Sequence, residues 1–212
     1  MRFKLFVPNV FSVALMALLT LNPLQSRAEN ESPVILILGD SISAAYNMEI
    51  SQSWPSLLQD RLQQDGYAYE VFNSSITGET TQGGITRLPA LLEKLQPDIV
   101  VIELGGNDGL RGLPIEVTQQ NLSSMIELSQ QTGARVILAE MRIPPNYGRS
   151  YTEKFNQTYT TLKQTYGVTL LPFILEDIAL APGMMQPDGI HPSIEAQPVI
   201  LNKVWAVLGE LL

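Results

Sequence analysis

The sequence predicts an α/β protein: a three-layer α/β/α sandwich around a mainly parallel five-stranded sheet. Five short β-branched runs alternate with five stretches in which apolar residues return every three or four positions. Three of the runs are almost wholly apolar, which implies burial on both faces, as in a parallel sheet covered by helices. No internal repeat, low-complexity tract or linker breaks the alternation, so right-handed crossovers within one domain account for the pattern.

The chain has 212 residues, and its first 28 read differently from the rest. Arg2 and Lys4 precede the apolar run VFSVALMALLTL, and Ser26-Arg27-Ala28 offers small residues where a signal peptidase reads. Residues 1–28 are therefore expected to be a cleaved export signal, placing the protein in the periplasm or outside the cell, with 29–212 as the working domain. The run from Val10 to Leu21 is short against the ~20 apolar residues of a spanning helix, and no comparable run follows. No integral membrane span is expected after signal removal; the alternative is an uncleaved anchor.

The strands expected in order are VILIL (34–38), EVFNS (70–74), DIVVIEL (98–104), RVILAE (135–140) and VTLL (168–171), each bounded by Gly, Pro or Asp. Between them SWPSLLQDRLQQ, ITRLPALLEKL, EVTQQNLSSMIELSQQ and YTEKFNQTYTTLKQTY read as helices, as does the stretch from Glu195 to Leu212. Pro89 implies a kink or a late start in the second.

Three of the 13 basic residues and none of the 21 acidic ones fall in the signal, leaving 10 against 21, formally −11. That balance repels phosphate backbones and argues against a nucleic-acid partner. With no cysteine and one histidine, disulfides and thiolate metal sites are excluded, and no carboxylate cluster has metal-loop spacing. No metal or cofactor is expected.

Ligands of such a sheet bind beyond the carboxyl ends of its strands. After the first strand comes Gly39-Asp40-Ser41-Ile42-Ser43, either a turn with a helix cap or a serine exposed at a strand-to-helix corner. After the second comes Ile76-Thr77-Gly78-Glu79-Thr80, whose glycine allows close backbone approach to a substrate oxygen. The third runs into Leu104-Gly105-Gly106-Asn107-Asp108-Gly109, an ordinary Asn-Asp-Gly turn or the source of an amide donor for an oxyanion. Asp188 and the lone His191 share a loop between Pro187 and Pro192, where a carboxylate can orient an imidazole and stabilise its charged form. Together these residues supply a nucleophile, oxyanion donors, a base and its orienter.

At these positions the sequence resembles the SGNH, or GDSL-type, hydrolases, through ILGDSIS, RLPALL, ELGGNDGLRG, PPNYGR and MMQPDGIHP, over essentially the whole chain after the signal. The resemblance implies a flavodoxin-like SGNH hydrolase fold. It further implies Ser41 as nucleophile, with the Ser41 and Gly78 N–H groups and the Asn107 side chain forming the oxyanion hole, and Asp188 with His191 completing the triad. Two departures are visible: Ile42 in place of leucine, and Ala45 where relatives often have glycine. The α/β-hydrolase elbow fits less well, because Ser43 stands at its last glycine.

The implied activity is hydrolysis of a small-molecule acyl ester or thioester (fatty acyl esters, acyl-CoA, lysophospholipids) through an acyl-enzyme. Alternatives are a carbohydrate O-acetyl esterase and a non-catalytic lipid- or glycan-binding protein. A single imidazole implies an acid limb with one ionisation. The loops carrying Leu110, Ile143, Pro144 and Tyr147, together with Ile190 beside the histidine, are expected either to line an acyl groove or to pack on the helices beneath. The oligomeric state stays open, with a monomer favoured.

Overall fold

A computed structural model describes residues 32–212 together with Met1; the expected export signal lies outside the described residues. Five strands appear where the apolar runs predict them: β1 (Val34–Gly39), β2 (Glu70–Asn73), β3 (Ile99–Glu103), β4 (Arg135–Ala139) and β5 (Thr169–Leu171). All neighbours pair in parallel, in the order β2-β1-β3-β4-β5, with Ile35 opposite Val71 and Ile99, and Val100 opposite Val136.

Alternate residues of each strand face opposite layers, and both layers are covered. Leu36, Leu38, Val100, Ile102 and Leu138 pack on α2 (Thr81–Leu95), α4 (Ile115–Gln131) and α5 (Arg149–Tyr166) through Leu88, Leu122, Ile126, Phe155 and Tyr159. Ile35, Ile37, Ile99, Val101 and Ile137 pack on α1 (Trp54–Gln64) and α6 (Gln197–Leu208) through Trp54, Leu58, Ile200 and Val204. Strands β1 and β3 are buried throughout; β2, at the edge, exposes Glu70 and Phe72, which is why its run is the least apolar.

Two elements differ from expectation. Helix α2 starts at Thr81, four residues before ITRLPALLEKL and with Pro89 in its interior, so the proline does not delay it. The Thr80 side chain accepts from the Gly83 N–H, and Thr81 is anchored to buried Asp108 by its N–H (2.9 Å) and hydroxyl (2.5 Å). Tertiary anchoring thus overrides the poor helix propensity of Gly83-Gly84. A Cβ on Gly84 would run into Leu104, so that glycine serves close helix–sheet packing. Secondly, the expected turn after β3 is a short helix, α3 (Gly106–Leu110).

From β1 the chain passes to β2 on one side and then to β3 on the other. The crevice above β1 and β3 is the switch point at which doubly wound sheets bind ligands.

Candidate active site

Ser41 stands two residues past β1 and Asn107 lies in α3, just beyond β3, so both sit at that switch point. The Ser41 hydroxyl oxygen is 2.9 Å from His191 Nε2, and His191 Nδ1 is 2.7 Å from Asp188 Oδ2. Asp188 Oδ1 accepts from the His191 N–H (3.0 Å) and the Ile190 N–H (2.9 Å). These backbone and imidazole bonds hold the Asp188 carboxyl down at about 2. It is therefore an anion at neutral pH, facing a ring nitrogen that must carry hydrogen.

The loop that carries this pair is braced as a hairpin. Met185 bridges Pro192, the Gln186 N–H donates to the His191 carbonyl at 2.8 Å, and Gly189 turns the chain at φ +68°. The Gln186 side chain donates to the Tyr46 carbonyl (3.0 Å) and the Pro192 carbonyl (3.1 Å), tying the His191 hairpin to the loop after Ser41. The Tyr46 ring stacks on the imidazole. Ala45, one of the two departures visible in the sequence, adopts φ +58°, a left-handed conformation that favours glycine.

The expected oxyanion donors follow turns that require glycine. Gly78 has φ +77°, and its carbonyl accepts from Arg111 Nη2 at 2.9 Å. Gly105 has φ +111°, and a Cβ there would collide with the Tyr159 hydroxyl, which donates to the Leu104 carbonyl at 3.0 Å. That turn aims α3 so that Asn107 Nδ2 lies 3.0 Å from Asp40 Oδ2 and 2.9 Å from the Glu79 carbonyl. Beneath them Asp40 and Glu103 are both buried. Burial, reinforced by the Asp40 charge, pushes the Glu103 carboxyl well above the usual range, and burial pushes Asp40 up to about 6.

Ser41, Asn107 and His191 open into a cavity of about 380 Å³ walled by Leu110, Met141, Ile143, Pro144, Phe173 and Ile190. Four of the five expected groove residues are therefore in its wall. The fifth, Tyr147, is not: its hydroxyl donates to the Leu110 carbonyl at 2.8 Å, supporting the wall from behind. Gly78 lies beside the cavity rather than in its lining. Met141, Phe173, Tyr46 and Gln186 escaped the sequence reading. The first two stand just past β4 and β5, a position that alone could have flagged them, whereas Tyr46 and Gln186 act through contacts 140 or more residues apart. A wider depression of about 580 Å³ between Ile50 and Asn73 shares no residue with this site.

Among the described residues no group of His, Asp and Glu is placed to hold a metal ion, and no helix is long and apolar enough to cross a membrane.

The pattern characteristic of the GDSL-like Lipase/Acylhydrolase family matches residues 37–197. The chain is 50% identical over 178 residues to Esterase TesA of Pseudomonas aeruginosa, covering 84% of this chain and 89% of that protein. It is 48% identical over 168 residues to Thioesterase 1/protease 1/lysophospholipase L1 of Escherichia coli K12, covering 79% of each. Its structure superposes on the psychrotrophic esterase EstA from Pseudoalteromonas sp. with a TM-score of 0.82 at 40% identity, over 84% of this chain and 97% of that one.

Proposed function

The chain belongs to the GDSL-like lipase/acylhydrolase family, and from that premise we propose that it is a serine ester and thioester hydrolase working through Ser41, His191 and Asp188. One observation carries the assignment: an unbroken chain of short contacts from the Ser41 hydroxyl through both imidazole nitrogens to the Asp188 carboxylate.

With Nδ1 protonated against Asp188, Nε2 is free to accept the Ser41 proton as the oxygen attacks the acyl carbonyl. The new C–O bond moves the carbonyl electrons onto oxygen, and the Ser41 and Gly78 N–H groups and the Asn107 amide meet that charge. The Asp188 anion stabilises the imidazolium. Collapse breaks the bond to the alcohol or thiol, which leaves with the imidazolium proton, and Ser41 holds the acyl group as an ester. Water, deprotonated by the same Nε2, then repeats the sequence and releases the acid, returning the proton to Ser41.

The apolar cavity beside Ser41 suits a hydrocarbon tail better than a sugar, and its volume is that of a small-molecule site. Fatty acyl esters and thioesters, including acyl-CoA and lysophospholipids, are the substrates this favours. The expected signal supports export to the periplasm or outside the cell, and the oligomeric state stays open, with a monomer favoured. Ser41→Ala should abolish hydrolysis of p-nitrophenyl esters in a chain that still melts cooperatively. Wild-type protein without turnover would leave a binding module instead, and activity confined to acetyl esters would indicate a carbohydrate O-acetyl esterase.

A further inference from the structure

Asp40 precedes the nucleophile and takes no part in the acyl transfer derived above, yet it is only 3% exposed and fully engaged. Its Oδ1 accepts from the Ile42 N–H at 3.0 Å and its Oδ2 from Asn107 Nδ2 at 3.0 Å. Behind it, the Asp40 N–H donates to Glu103 Oε2 at 3.2 Å, an oxygen that also accepts the Ser43 hydroxyl at 2.7 Å.

The other hydrogen of the Asn107 amide goes to the Glu79 carbonyl at 2.9 Å. Both hydrogens of the side chain meant to face the oxyanion are therefore already engaged, and one of them must be handed over. The Glu79 carbonyl is a neutral acceptor on a half-buried loop, whereas Asp40 is a buried carboxylate, and a bond to an ionised acceptor is roughly twice as strong as one between neutral groups. A developing oxyanion outcompetes the carbonyl and leaves the carboxylate bond in place.

Resting on the reading of Asn107 as an oxyanion donor, we propose that Asp40 is a positioning residue: as a carboxylate it pins one Nδ2 hydrogen of Asn107 while the other passes from the Glu79 carbonyl to the reacting oxygen. A protonated Asp40 presents a hydrogen of its own to the amide. The amide then turns its oxygen toward Asp40, and the donors point away from the substrate.

The groups facing Asp40 are Glu103 at the end of β3, Asp108 in α3, His191 in the hairpin and Tyr159 in α5. His191 favours the anion, while Asp108 and, above all, burial oppose it, so Asp40 takes up its proton near pH 6. On this proposal the acid limb of kcat/KM carries two ionisations, in place of the one expected from a single imidazole.

The test is the pH profile of kcat/KM for wild type, Asp40→Asn and Asn107→Ala on one p-nitrophenyl ester. Wild type should approach a limiting slope of two on the acid side, and both variants a slope of one, because each removes the link between Asp40 and the oxyanion. Asp40→Asn, whose amide meets the Asn107 donors with donors of its own, should lose about 10²–10³ in kcat with KM within about twofold. The double variant should be no slower than the slower single one. Asp40→Asn retaining wild-type kcat, or Asn107→Ala retaining the slope of two, overturns the proposal. If Asp40→Asn fails to fold, the Asn107→Ala slope still decides. Active Ser41→Ala would instead overturn the triad, a distinct outcome.

Discussion

The Tyr46 ring lies against the His191 imidazole with centroids 4.0 Å apart and planes 29° from parallel. The stack closes one face of the imidazole and leaves its edge to bridge Ser41 and Asp188. Aromatic pairs contribute ~0.5–1.5 kcal/mol beyond simple burial, so Tyr46→Ala should lower kcat about two- to tenfold. Tyr46→Phe, which keeps the ring, should not. Equal losses in the two variants would show that the hydroxyl, not the stack, matters.

Asp188→Asn keeps the side-chain size and removes the charge that stabilises the imidazolium, so kcat should fall by about 10⁴. The same carboxylate links stability to pH. Its folded pKa, about 2, lies below the ordinary 3.8, so the stabilisation is fully present above about pH 4 and lost as pH falls toward 2. Urea midpoints should drop more steeply across that window for wild type than for Asp188→Asn; parallel curves would refute the linkage.

Leu110 and Ile190 form part of the cavity wall at its half-buried and exposed margins. Leu110→Trp should shorten the space for an acyl tail. Each methylene excluded from apolar contact costs ~0.8 kcal/mol, so losing two should reduce kcat/KM for p-nitrophenyl octanoate by roughly tenfold relative to the acetate. An unchanged octanoate-to-acetate ratio would remove the cavity from the account of specificity.

Ala45 holds a left-handed conformation that costs about 1–2 kcal/mol for a residue with a Cβ. Ala45→Gly relieves that strain but loosens the unfolded chain by ~0.5–1 kcal/mol, so a net gain of about 0.5–1 kcal/mol should appear as a raised melting temperature. A lowered one would show that the methyl group is needed for packing.

Sheet and helices were legible because burial on both faces writes itself into Val34–Leu38 and Asp98–Leu104 as nearly continuous apolar runs. The start of α2 was not, since what holds it is Asp108, 27 residues away. The polar residues that meet at the crevice could be read in short motifs, at strand ends or, for Asp188 and His191, in the loop between Pro187 and Pro192. Tyr147 could not be sorted from its loop neighbours, because an aromatic facing a cavity and one bracing it from behind look alike in sequence. Tyr46, Gln186 and the Asp40–Asn107 contact depend on loops brought together from distant parts of the chain, and local periodicity carries no trace of them.

The hairpin bearing Asp188 and His191 lies in the stretch between β5 and α6, which is built from turns and a single bridge and contains neither helix nor strand. The rest of that stretch seats Ile174, Leu175 and Ile178 in the core, whereas the hairpin itself is held by the Gln186 amide, the Tyr46 face, the His191–Ser41 contact and the packing of Met185. Such a segment can open alone, at a lower free energy than the sheet needs to come apart. Catalysis should then vanish in mild denaturant while the circular dichroism signal is still intact, and return on dilution without any refolding of the core: the assay reads the fastening of one loop, not the survival of the fold.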